Sequence, residues 1–127
     1  MFESSVSRPL NARHFLRGDF GDESVPHSHP YRVVWTCRSS GLDDNGFSTD
    51  IAVQQQLLED ALNAIDGVLL NDLPWFQSRQ PSLEHLAVYL CTDLRSRLEA
   101  LGTNLDQAMR IEIWEAEDAW AAYEEDR

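Results

Sequence analysis

With 127 residues and 43% apolar content, the chain can bury one real core but is too short for two ordinary domains. Its formal charge of −12, with ten basic residues that are all Arg, repels a phosphate backbone over most of the surface and argues against nucleic acid as a partner. The apolar runs are too short to span a bilayer, and "MFESSVSRPLN" lacks the basic start and apolar stretch of a signal peptide, so a soluble, cytoplasmic protein is expected, with no membrane partner.

The predicted elements place β segments at both ends and helices between them. In "LNARHFL", His14 falls in strand register with Ala12 and Leu16, the less polar parity, while Arg13 and Arg17 take the other. Residues 31–38, "YRVVWTCR", read as a strand that leaves into the turn "SSGLDDNG". Apolar residues at 51, 58, 61, 62 and 65 predict a first helix over 51–65, capped by Thr49 or Asp50. "GVLLNDLPWFQSRQP" has two prolines and no helical stripe, and reads as a loop folding back over the core. Ser82 can cap a second helix striped by Leu83, Leu86, Ala87, Leu90, Leu94 and Leu98 and ended by Gly102. "AMRIEIWE" and "AWAAYEE" alternate as an antiparallel pair joined near Ala116 to Asp118. Cys37 and Cys91 lie inside apolar patterns and read as reduced core thiols, not a disulfide.

The stretch "SVPHSHPYRVVW" carries the first chemical signal. His27 and His29 share strand parity with Tyr31, Val33, Trp35 and Cys37, so both imidazoles point to the apolar side if the strand extends that far. Together with His14, three histidines share an inward pattern, and three imidazoles on Zn²⁺ leave a fourth position open, as a catalytic zinc requires. The competing reading is a pair of polar residues at a strand end. A second signal is Glu115, next in register after Met109, Ile111 and Ile113. A carboxylate on that face needs a hydrogen-bonding partner, for which a guanidine-like ligand edge would serve; the alternative is that the strand ends at Trp114 and Glu115 is exposed. His85, on the second helix beside Glu84, reads as a plain helix residue.

The ordered set "ARH", "HSHPYRV", "LDDNGFSTDI", "IDGVLLNDL", "QPSLEHLAVYL" and "IEIWEAEDAWAAY" resembles the 6-pyruvoyltetrahydropterin synthase and 6-carboxytetrahydropterin synthase family over nearly the whole chain. The resemblance implies one α+β domain over 1–127 with the tunnelling fold, a four-stranded antiparallel sheet carrying two helices on one side. It also implies a homo-oligomer, a trimer closing a β-barrel or a dimer of such trimers, with the pocket between subunits. Carried over residue by residue, His14, His27 and His29 match the zinc ligands and Glu115 matches the carboxylate that holds the pterin's 2-amino and N3 edge. Ser82 stands where the family has a pocket Thr, beside its role as a helix cap, and Asp43 and Asp50 match structural loop acids.

Two departures bear on the chemistry. The family's catalytic Cys position is Glu23 here, and its Asp-His pair is Asp66-Gly67. Glu23 offers a carboxylate general base near zinc, as in relatives with a nearby Glu that resemble enzymes cleaving the side chain to 6-hydroxymethyldihydropterin, although their Glu aligns with Ser24; its other reading is an exposed loop acid. Two functions follow from the resemblance. One is a zinc-dependent lyase acting on 7,8-dihydroneopterin triphosphate or a related pterin, with Glu23 and Asp66 as acid and base. The other is a catalytically inactive zinc- and pterin-binding paralogue with a regulatory or partner role.

Overall fold

The computed structural model describes residues 1–102 and 107–126. Its elements run β1 (Phe2–His14), β2 (His27–Ser39), α1 (Ile51–Asn63), α2 (Leu83–Ala100), β3 (Ala108–Ala116) and β4 (Ala119–Glu125). The strands form one antiparallel sheet in the order β1-β2-β3-β4, and both helices pack on one face of it. This is the expected α+β arrangement.

Strict alternation explains why the sheet takes only one coat of helices. Val33, Trp35 and Cys37 of β2 and Met109, Ile111 and Ile113 of β3 are fully or almost fully buried, whereas the opposite parity carries Arg32, Arg110, Glu112 and Trp114. α1 contributes Leu57, Leu58, Ala61 and Leu62 to the core, and α2 contributes Leu86, Ala87, Leu90, Cys91, Leu94 and Leu98. Ile51, expected in the first stripe, is exposed, and Gln54 is the first fully buried residue of α1 instead. The Gln54 amide is fully buried yet satisfied: Nε2 donates to the carbonyls of Trp35 (3.0 Å) and Ser4 (3.2 Å), and Oε1 accepts from Ser4 Oγ (2.8 Å). It ties α1 to both neighbouring strands.

The N-terminal strand is far longer than its polar sequence suggests. β1 pairs with β2 along all of Phe2–His14 and tolerates Pro9 because it is an edge strand of the sheet. It stops at His14, so Leu16 lies in the following loop instead of continuing the register. The segment between the helices does fold back on the core, through two 3-10 turns (Leu70–Asp72 and Pro74–Phe76) that bury Leu70 and Phe76. Cys37 and Cys91 are buried free thiols, and burial pushes them up to about 11 and about 12, which removes them as nucleophiles.

Of the two candidate caps for α1, Asp50 fills the position. Its carboxylate accepts from the Ala52 and Val53 amides (2.9 and 3.4 Å), while the Thr49 hydroxyl accepts from Gln107 Nε2 at 3.2 Å. Asp50→Ala should therefore lower stability by about 0.5–2 kcal/mol and Asp50→Asn by much less, read as a shift in urea midpoint at unchanged slope. α2 ends as predicted: Gly102, at φ +72°, donates its amide to Glu99 O at 2.9 Å, a left-handed stop that suits glycine.

Candidate metal centre

Sheet register assembles the three histidines. His14 is the cross-strand partner of His27, and Ala12 that of His29, so all three rings emerge on the helix-bearing side at one end of β1 and β2. Ring centroids lie 4.5 Å apart for His14–His27, 4.7 Å for His27–His29 and 5.3 Å for His14–His29. The loop returning from β1 to β2 passes through the 3-10 turn Gly21–Ser24, which brings Glu23 to the same place. Ligand atoms of His14, Glu23, His27 and His29 all lie within 4.8 Å of one another.

Backbone carbonyls fix the tautomers of two rings. His14 Nδ1 donates to Pro81 O (2.7 Å) and His27 Nδ1 donates to Val25 O (2.7 Å); a carbonyl only accepts, so both protons sit on Nδ1 and both Nε2 lone pairs face the centre. Burial, reinforced by the neighbouring His27 and His29, holds His14 below its ordinary pKa, which favours the neutral ring that binds metal; the Pro81 hydrogen bond and Glu23 oppose this shift. His27 Nε2 is buried and has no hydrogen-bond partner, although Glu23 Oε2 approaches it to 2.9 Å. Three imidazoles, one of them with an orphaned buried nitrogen, and one carboxylate form a four-donor set that fits Zn²⁺.

Side chains that carried no sequence signal hold this cluster in place. Asn71 accepts the Phe15 amide and donates to the Phe15 carbonyl, both at 3.0 Å, and Gln80 clamps Arg17 in the same way at 2.8 and 3.0 Å. These amide clamps fix the chain just beyond His14. Tyr31, almost wholly buried under the rings, has its hydroxyl 3.4 Å from His14 Nε2. Burial, then the charges of Glu115 and Glu23, push its phenol above the ordinary value, so it stays a protonated donor.

The other sequence candidates are not members of the group formed by His14, Glu23, His27 and His29. Asp66 Oδ1 accepts the Asn11 amide at 3.1 Å, and the next amide, Gly67, donates to Asn11 O at 2.6 Å, so this pair pins the loop after α1 to the edge strand. Ser82 Oγ caps α2 by accepting the His85 amide at 3.2 Å. His85 Nδ1 donates to Gln80 O at 2.7 Å and packs on Trp75, outside the cluster. Glu115 lies within β3, so the strand does not end at Trp114; yet the side chain is exposed, because the ladder is irregular between Trp114 and Ala116. In the single chain it therefore carries no burial penalty. It borders a shallow groove with Pro30, Arg32 and Trp114, while two larger hollows lie at the far end of β1 around Leu42, Ser48 and Asp50.

Residues 3–126 match the family model described as 6-pyruvoyl tetrahydropterin synthase. This chain belongs to that family. Among curated proteins it is similar to the 6-carboxy-5,6,7,8-tetrahydropterin synthase of Bacillus subtilis (strain 168), at 27% identity over 96% of this chain and 84% of the relative. Its fold matches that of Caenorhabditis elegans 6-pyruvoyl tetrahydropterin synthase with a TM-score of 0.81 at 19% identity, covering 98% of this chain and 95% of the other. It also matches a Plasmodium vivax 6-pyruvoyltetrahydropterin synthase, a glutamate-to-alanine catalytic residue mutant, with a TM-score of 0.79 at 16% identity, covering 99% and 98% of the two chains. The chain is thus a pterin-synthase-type domain with the tunnelling fold. Within that fold, Glu23 and Gly67 sit at very different places: Glu23 among the histidines, and Gly67 at a backbone turn with φ +73°.

Proposed function

We propose that this member of the family is a zinc-dependent lyase acting on 7,8-dihydroneopterin triphosphate or a closely related pterin. The observation that carries the proposal is the convergence of His14, His27, His29 and Glu23, with two rings locked so that Nε2 faces the centre. His14, His27 and His29 would hold the ion, which when bound supplies a Lewis acid for the substrate's side-chain oxygens. Glu23 stands where the family has its cysteine and would accept a proton from the side-chain carbon or hydroxyl. The Plasmodium vivax relative is named with a catalytic glutamate, which supports a carboxylate as a catalytic group in this fold. Asp66 would serve as the complementary acid or base on substrate held between subunits, since in one chain it sits in the loop after α1, bonded to the edge strand at Asn11. Among the described residues neither sheet edge, β1 nor β4, pairs with a further strand, which supports a homo-oligomer, a trimer or a dimer of trimers. A cytoplasmic pathway to folate-like or queuosine-like products suits such an enzyme.

Glu115 would anchor the pterin through its 2-amino and N3 edge, and Ser82 would line the pocket while capping α2. A two-point, charge-assisted contact is worth roughly 1.5–3 kcal/mol, so Glu115→Gln should weaken pterin binding at least roughly tenfold by calorimetry, with the fold intact by circular dichroism. Unchanged affinity in that variant removes Glu115 from the site.

A second reading is favoured by Gly67. Where the family resemblance implies the histidine of an Asp-His pair, this chain has a residue with no side chain, which favours an inactive zinc- and pterin-binding paralogue as the alternative. Incubating the zinc-loaded protein with dihydroneopterin triphosphate and identifying products by mass spectrometry separates the two. A new pterin product supports the lyase; binding without any product supports the paralogue.

A further inference from the structure

The approach of Glu23 to His27 has an unusual chemistry. His27 Nδ1 is committed to Val25 O, so in the neutral ring Nε2 is a lone pair, and a carboxylate oxygen stands 2.9 Å from it. Two electron-rich atoms at that separation repel unless a proton or a cation lies between them. A proton on Nε2 would make a hydrogen bond, but the arrangement lacks hydrogen-bond geometry and the nitrogen is left without a partner. Neighbouring ligands on a tetrahedral ion with bonds of about 2.0–2.1 Å are separated by about 3.3 Å, close to the spacing seen here.

The loop holding Glu23 is built to keep it there. Its carbonyl accepts the Leu16 amide at 2.7 Å and its amide donates to Phe20 O at 3.3 Å, while Ser24 Oγ donates to Gly18 O (2.7 Å) and accepts from the Phe20 amide (2.9 Å). Gly18, at φ +119°, makes the turn possible, and a Cβ there would strike the Phe20 ring at 2.9 Å. The backbone is pinned, yet the Glu23 side chain is half exposed. It can turn about its own torsions toward or away from the rings without moving the loop.

We propose that in the substrate-free protein the Glu23 carboxylate is the fourth ligand of the ion held by His14, His27 and His29, closing the site, and that it yields this position to an incoming substrate oxygen. The inference rests on the zinc reading above and extends it. The exchange is of ligands only: the carboxylate oxygen leaves as a neutral or anionic substrate oxygen enters, and no proton or electron is required. It gives one side chain two uses, excluding water before substrate arrives and standing free as a base beside the substrate afterwards.

The test uses metal alone. Zinc affinity of wild type, Glu23→Ala and Glu23→Gln is measured by competition with a chromophoric chelator, and the Co²⁺-substituted proteins are titrated with sodium azide while visible absorption is followed. Losing a direct ligand should weaken zinc binding by at least the roughly 10- to 100-fold typical of losing a supporting partner. The Co²⁺ spectrum of the variants should then respond to azide at concentrations that leave wild type unchanged. Equal or tighter zinc binding in both variants, with a wild-type spectrum that already responds to azide, overturns the inference and makes Glu23 only a neighbour of His27. Wild type that binds no zinc overturns the metal reading itself. Absence of pterin turnover affects neither measurement.

Discussion

The His27→Ala/His29→Ala protein is expected to purify with almost no zinc, whereas wild type should carry about one ion per chain. The pair supplies two of the three imidazoles, and His27 contributes the buried Nε2 that has no other partner. Removing both leaves His14 and Glu23, too few donors for a stable tetrahedral site, so the loss should exceed the roughly 10- to 100-fold seen when only a supporting partner is removed. Both rings are only partly buried at the open end of the sheet, and the core beneath is built from Tyr31, Val33 and Trp35. The double variant should therefore fold, and circular dichroism beside metal analysis by mass spectrometry checks both halves of the expectation. Full zinc content in the folded variant would mean that the ion is held elsewhere.

Glu23→Gln should lower turnover on the pterin substrate by about 10² to 10⁴, the usual worth of a positioned general base. The amide keeps the shape of the side chain but cannot accept the proton. Turnover must be compared at saturating zinc, because Glu23 also reaches the metal ligands and the variant will need more ion to fill the site. Under that condition a fall in kcat with pterin affinity retained assigns Glu23 to the chemical step, and an unchanged kcat removes it. The converse variant, Glu23→Cys with Gly67→His, introduces the cysteine and histidine that the family resemblance implies at these two positions. Space is available at Gly67, where a Cβ would meet nothing within 4 Å, but φ +73° imposes left-handed strain of about 1–2 kcal/mol on any side chain. Pyruvoyl or carboxy product from that protein would show that the rest of the pocket has been kept.

Much of the fold is readable from local pattern because local pattern is what specifies it. The C-terminal hairpin follows from alternation in "AMRIEIWE" and "AWAAYEE", and α2 from a long apolar stripe between Ser82 and Gly102. Parity alone turned His14, His27 and His29 inward, since period 2 is a property of any strand. β1 is harder to see: "FESSVSRP" is polar, and it becomes a strand because β2 offers it a full ladder.

What no local pattern contains is register and long-range contact. The sequence by itself determined which faces of β2, β3 and α2 are apolar, which residues cap and end α2, and that three histidines and Glu115 share the apolar parity. The tertiary structure decided that His14 lies opposite His27, a pairing across a loop whose length sets the register. It alone brought Glu23 to those rings, through a turn closed by the Leu16 amide. It placed Asn71 and Gln80 as clamps on a segment more than fifty residues away in sequence, which no period encodes because a loop amide takes whichever backbone group the fold presents to it. It also exposed Glu115, where a ladder irregularity overrides strict alternation, and set Asp66 in the loop after α1, tied to the edge strand through the Asn11 amide, so that neither carboxylate belongs to the histidine cluster of the chain.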